Sequence, residues 1–241
     1  MSQRVDSLQL GEIELEVRWK DIKNVHLSVH PPEGRVTLVA PLRMELPTIR
    51  VFAIAKLTWI KQQRRKMLEQ VRQSEREYLT RESHYIWGKR LLLRVVEKDA
   101  PPQVQVRPSQ LLLQVRPGSD EAKRKELLEA WYRDELRRIA TVQMTHWMPI
   151  IGVQVDKIHI QHMKTKWGSC NPAGRAIRLN TELAKKPREC LEYILVHELV
   201  HLLEPSHNQR FLSLMDQFLP SWREHRDLLN HLPVCHEEWG Y

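Results

Sequence analysis

Residues Ile13, Leu15, Val17 and Trp19 alternate with Glu14, Glu16 and Arg18, the period of two that marks a half-buried strand. Val25, Leu27 and Val29 repeat the alternation, Pro31 to Gly34 supply turn chemistry, and 36–40 returns as a further strand. The chain therefore opens as a hairpin or meander. From about 48 to 76 the period changes to helical: Ile49, Phe52, Leu57, Ile60, Leu68 and Val71 sit among Lys, Arg, Gln and Glu with no internal Pro or Gly. One long helix or two abutting helices are predicted there.

Short apolar segments return at 85–87, 91–96, 104–106 and 111–115, separated by Gly88, Pro101-Pro102, Pro108 and Pro117-Gly118, so a second β-rich patch is predicted. Ser119-Asp120 then form a cap-like pair ahead of an amphipathic helix over about 121–147, carrying Leu127, Leu128, Trp131, Leu136 and Ile139. Segments 153–163 and 176–180 have strand character. Neither an internal repeat nor a Gly/Ser linker is visible, so the expected division, 1–120 and 121–241, rests on the change of element pattern. The fold class expected is α+β.

With 241 residues, 41% of them apolar and 28% charged, the chain is long enough to bury a core without disulfides and too apolar to be disordered. No apolar run is long enough to span a membrane, and the N-terminus lacks a secretory pattern. Three cysteines at wide spacing match neither a disulfide framework nor a Cys-x-x-Cys metal site, which suits a reducing cytoplasm. The net charge of +8 makes weak affinity for polyanions an expectation, although the basic runs 61–66 and 123–125 fall in helical stretches where a solvated face explains them equally.

Chemistry concentrates in 191–204, an apolar stretch after Pro187 that should be a helix ending before Pro205. Leu191, Tyr193, Ile194, Leu195, Val196, Leu199, Val200, Leu202 and Leu203 cover nearly its whole circumference, so it should be buried on most sides. Its centre nevertheless carries His197, Glu198 and His201. Ionisable groups in an apolar helix are costly unless paired or bound to a metal. His197 and His201, four apart, share one face and can present two imidazole nitrogens to one ion, with Glu198 beside them to take a proton from water: the H-E-x-x-H pattern. His207, beyond Pro205, is the expected third ligand, and Glu204 is its rival. A core His pair without a metal is the plainer alternative. The remaining histidines show no comparable spacing; His159 with His162 and Cys235 with His236 are the nearest candidates.

These motifs resemble the YgjP-like family of zinc metallopeptidases, relatives of the SprT-like proteins within the zincins. The resemblance rests on 164–170 (Lys-Thr-Lys-Trp-Gly-Ser-Cys), on Ile177 to Asn180, Pro187, the two histidines and glutamate of the helix, His207 to Phe211, and Pro220. It covers the C-terminal half specifically, with weaker likeness in the N-terminal strands, Ala40-Pro41 and Trp59-Ile60. Lys166 stands where the family usually has Arg. A metzincin is disfavoured, because Glu204 occupies the position of that group's glycine. The resemblance implies a zincin-like C-terminal half, with the active-site helix on a small antiparallel sheet behind a β-rich N-terminal subdomain. It implies Zn²⁺ on His197, His201 and His207, with Glu198 as general base.

The 167–170 segment is expected as a packed turn shaping the cleft, with Lys164, Lys166 or Ser169 near an oxyanion as the sharper possibility; Trp167 belongs to the same candidate substrate surface. Cys170 is a poor candidate nucleophile, since no His is placed as its base. By analogy with zincins, 177–180, ending at Asn180, would be the edge strand that receives an extended peptide. Tyr193 shares the ligand face and is either a donor to substrate or a packed aromatic. The expected activity is a cytoplasmic zinc hydrolase acting on a peptide or protein substrate. Two alternatives are a metal-dependent nucleoside triphosphate pyrophosphatase of UTP type, and a DNA-associated protein that degrades bound proteins and contacts nucleic acid through its basic helices.

Overall fold

Glycines at Gly11, Gly34 and Gly88, all with φ between 62° and 78°, turn the chain where strands reverse or are about to begin, a backbone conformation that residues with a β-carbon resist. Around these turns the computed structural model forms three small mixed sheets and six helices among the described residues, which are 5–30, 33–69, 77–163 and 166–232. They divide into two compact units, one ending with the helix that closes at Glu69 and the other running from 77 to 232.

In the first unit, β1 (Val5–Leu10), β2 (Ile13–Lys20), β3 (His26–His30) and β4 (Arg35–Pro41) form a sheet of order β1-β2-β4-β3. The outer pairs are antiparallel and the central β2/β4 pair is parallel. The alternation in 13–19 places Ile13, Leu15, Val17 and Trp19 in the core beneath α1 (Leu46–Ala55) and α2 (Leu57–Glu69), which contribute Ile49, Ala53 and Ile60. The helical run expected over 48–76 is thus two abutting helices, and 70–76 lies outside the described residues. β1 was not foreseen.

The second unit begins with β5 (Ser83–Ile86), β6 (Lys89–Glu97), β7 (Gln103–Val106) and β8 (Gln110–Val115) in the order β5-β6-β8-β7. Its outer pairs are again antiparallel and its central pair parallel. The two four-stranded sheets therefore share one topology, a repetition of architecture that no sequence period betrays. Asp120 caps α3 (Glu121–Ile151) by accepting from the Lys123 N–H at 2.8 Å, and Gly152 ends it in the left-handed region. Leu128, Leu136, Ala140 and Met144 of α3 join one core with Leu93, Leu111 and Leu113 of the sheet. This shared core is why the boundary expected at residue 120 falls inside a unit, at a helix cap.

The third sheet, β9 (Lys157–Gln161), β10 (Gly168–Asn171) and β11 (Ala176–Asn180), has the order β10-β11-β9. β10/β11 is antiparallel and β11/β9 parallel. The sheet expected to be antiparallel is therefore mixed, because the return from β9 leads to β10 at the edge and only the 171–176 turn makes a hairpin. A 3-10 turn (Thr181–Lys185) follows, then α4 (Arg188–Val200), α5 (Gln209–Phe218) and α6 (Trp222–His231). Hydrogen bonds fix α3 across this unit: Trp147 Nε1 donates to Glu192 of α4 at 3.2 Å, and Tyr132 Oη donates to the Tyr85 carbonyl at 2.8 Å. Among the described residues, no helix is long and apolar enough to cross a membrane.

Candidate metal centre

Pro187 has no N–H to offer, and its carbonyl accepts from Cys190 N at 3.0 Å, so α4 starts immediately after it. Gly88 presses on this corner: a β-carbon there would lie 2.9 Å from Pro187 Cγ, and the Trp87 and Gly88 N–H groups donate to the Ala184 and Lys185 carbonyls. From this anchored start α4 runs through the core with Leu191, Ile194, Leu195, Val196, Leu199 and Val200 buried, as its nearly continuous apolar circumference predicts. His201 ends the helix, and the following turn is tightened by Leu203 N and Glu204 N, both donating to the Val200 carbonyl. The chain then passes Pro205 and returns, placing His207 just before the Asn208 side chain that caps α5 through Phe211 N at 3.0 Å.

The return brings three imidazoles together. His197 Nε2 lies 3.2 Å from His201 Nε2 and 3.0 Å from His207 Nε2, and one ligand atom from each of the three falls within 4.8 Å of the others. His201 Nδ1 is 3.1 Å from the Glu204 carbonyl, which can only accept, so Nδ1 carries the proton and Nε2 presents a lone pair to the cluster. Burial, then the neighbouring His201 and His207, pushes His197 down to about 3, and burial foremost also lowers His201. His197 is therefore neutral at pH 7. One proton on its Nε2 can serve only one of the two nitrogens facing it.

Glu204 does not join this group. Its carboxylate accepts from Ser206 N at 3.2 Å, and only its carbonyl serves the cluster, from behind. Phe211, buried, packs its ring 4.7 to 4.9 Å from the centroids of all three histidines and forms an apolar floor beneath them. Phe211 lies in the 207–211 motif, and its spacing of four from His207, at the start of an amphipathic helix, is the sequence signal for this place.

Glu198 is 5% exposed, and burial pushes its carboxyl up to about 7 against the opposing pull of the Lys166 ammonium. Its side chain lies against Gly168 of β10, where a β-carbon would stand 2.7 Å from Glu198 Oε1. Cys170 on the same strand is raised to about 11 by burial and by Glu198, which makes it a poor nucleophile at neutral pH.

The other sequence candidates are distributed as follows. Asn180 donates through Nδ2 to the Met163 carbonyl at 2.7 Å and the Lys166 carbonyl at 2.9 Å, and accepts from Glu182 N at 3.1 Å. Its amide is fully engaged with backbone. Tyr193 stacks on Trp222 with ring centroids 6.3 Å apart and meets the His197 ring edge-on, the packed-aromatic alternative. Lys166 is exposed, Trp167 and Ser169 are half-buried, and Lys164 lies outside the described residues, as do Cys235 and His236. Segment 177–180 is not an edge. β11 is the central strand, paired on both sides, and β10 forms the edge beside Glu198. His159 pairs within the β9/β11 ladder and is not part of the cluster.

A family model for the YgjP-like metallopeptidase domain matches residues 23–232. No curated protein matches the chain. Among solved structures, the metallopeptidase zymogen abylysin of Pyrococcus abyssi is 23% identical over 37% of this chain and 90% of its own, with a TM-score of 0.35. The zymogen jannalysin of Methanocaldococcus jannaschii is 22% identical over 39% and 92%, with a TM-score of 0.32.

Proposed function

The chain belongs to the YgjP-like metallopeptidase family, and from that premise we propose that it hydrolyses peptide bonds at His197, His201 and His207, with zinc as the ion and Glu198 as general base. The observation that carries the proposal is the convergence of three imidazoles at the end of the helix that also carries one buried carboxylate. The donor set fits the ion. His197 Nε2 stands 3.2 and 3.0 Å from the other two nitrogens, close to the roughly 3.3 Å that tetrahedral ligation at about 2.05 Å requires, and all three ligand atoms lie within 4.8 Å of one another. The Glu204 carbonyl fixes the tautomer that leaves His201 Nε2 free to bind.

Zinc held there supplies a Lewis acid that polarises a carbonyl and acidifies water. This chain's residues supply the rest. Glu198, in an apolar setting that raises its basicity, accepts a proton from the attacking water and returns it to the leaving amine. Phe211 closes the cluster from below, so substrate and water approach from the opposite side. The edge position of β10 suits it to receive an extended peptide, and Lys166, Trp167 and Ser169 lie at or just before that strand. The free thiols of Cys170 and Cys190 support a reducing, cytoplasmic setting.

The test is hydrolysis of a quenched fluorescent peptide library by the zinc-loaded protein and by Glu198→Gln. Turnover falls at least about 1000-fold in the variant while zinc content is kept. Full activity in Glu198→Gln overturns the assignment. Release of pyrophosphate from nucleoside triphosphates, without peptide hydrolysis, transfers it to phosphoanhydride chemistry.

A further inference from the structure

Gly168 stands in a strand, where glycine costs stability and has no side chain to contribute to packing. Its backbone is not in the left-handed region, so no conformational demand calls for glycine. The reason is space. A β-carbon at 168 would meet Glu198 Oε1 at 2.7 Å, Glu198 Cγ at 2.9 Å and Ile194 Cγ2 at 2.9 Å, all closer than carbon contacts in folded proteins allow.

We infer that Gly168 is a positioning residue: the room left by its missing side chain sets where the Glu198 carboxylate lies. This rests on Glu198 being the general base.

Three restraints direct any added methyl against Glu198. β10 is held to β11 by the Gly168–Leu179 pairing, and the residue before it is held by Asn180 N donating to the Trp167 carbonyl at 2.9 Å. Ahead of β10, the Asn180 amide holds the Met163 and Lys166 carbonyls. Ile194 sits on a helix buried around its circumference and withdraws only at a cost in packing. The carboxylate end of Glu198, on a flexible stem, is the one neighbour able to rotate away. Alanine at 168 is thus accommodated chiefly by moving the base, with a smaller adjustment between strand and helix to relieve the 2.9 Å approach to Ile194 Cγ2. None of the three atoms nearest the added carbon belongs to His197, His201 or His207, so the substitution acts on the base before it acts on the metal ligands.

The experiment compares wild type, Gly168→Ala, Glu198→Ala and the double variant. With zinc-loaded protein, Gly168→Ala lowers kcat on the order of 100-fold, the cost of misplacing a reacting group by about an ångström, while KM stays within about 2-fold and zinc remains at the wild-type level. With metal-free protein, Gly168→Ala lowers the thermal midpoint by about 5 °C in the wild-type background. It lowers it by less than half as much in Glu198→Ala, where two of the three obstructing atoms are gone. If Gly168→Ala accumulates as folded protein only together with Glu198→Ala, the same coupling is shown in stronger form. Wild-type kcat in Gly168→Ala, or equal midpoint losses in both backgrounds, overturns the inference. A wild-type protein without turnover overturns the functional reading instead, and the metal-free coupling then still decides whether Gly168 sets the position of Glu198.

Discussion

Replacing Asn180 by alanine separates a structural clamp from a substrate contact. The side chain is 4% exposed and makes hydrogen bonds to the Met163 carbonyl, the Lys166 carbonyl and Glu182 N. At roughly 1 kcal/mol net per bond, Asn180→Ala costs about 3 kcal/mol, and more where a carbonyl is left without water. Urea unfolding followed by tryptophan fluorescence reports the second unit through Trp87, Trp131, Trp147, Trp167 and Trp222. At a slope of about 2 kcal/mol per molar, the midpoint falls by about 1.5 M. Asn180→Asp keeps the acceptor for Glu182 N but turns a carboxylate toward two carbonyl oxygens, so it does no better than alanine. A midpoint within about 0.3 M of wild type, with a raised KM as the principal effect, refutes the clamp and returns Asn180 to the substrate surface.

Two further outcomes follow from the same unit. Burial pushes the Glu182 carboxyl up, but the bonded Lys185 ammonium, with Lys186 and His162 nearby, holds it below the usual carboxylate value. A depressed folded value gives stability that is present above the unfolded pKa, about 4.3, and lost as pH falls through the folded one. Lys185→Met therefore costs on the order of 3 kcal/mol at pH 7, and the gap to wild type closes below about pH 4 in denaturant titrations at each pH. Equal gaps at both pH values contradict the pairing. Phe211→Leu opens the floor under the histidines and weakens zinc binding on the order of 10-fold in competition with a fluorescent chelator, with the thermal midpoint of the metal-free protein as the control for packing.

The ligand helix was legible because its signal is local: an i, i+4 histidine pair in an otherwise apolar run needs no tertiary information to stand out, and α4 is buried as that pattern required. Asp120 likewise announced the start of α3. What escaped depends on contacts distant in sequence. Gly168 gives no sign in sequence that it faces Glu198, thirty residues on, because that approach is a tertiary contact between β10 and α4. Strand order cannot be read from alternation, so β11 was expected at an edge that β10 occupies. The second four-stranded sheet was grouped with the first because both are β-rich and no linker composition separates them; its apolar face belongs with α3. The common topology of the two sheets left no period, because pairing order fixes architecture without fixing side chains.

The account stands or falls on whether His197, His201 and His207 bind an ion together. The direct measurement is zinc per chain by elemental mass spectrometry on the purified, untagged protein after equilibration with zinc and removal of excess, beside His201→Ala. The account predicts about one zinc per wild-type chain and well under a tenth of that in the variant. A wild-type chain that retains no zinc, or a variant that retains as much as wild type, contradicts it.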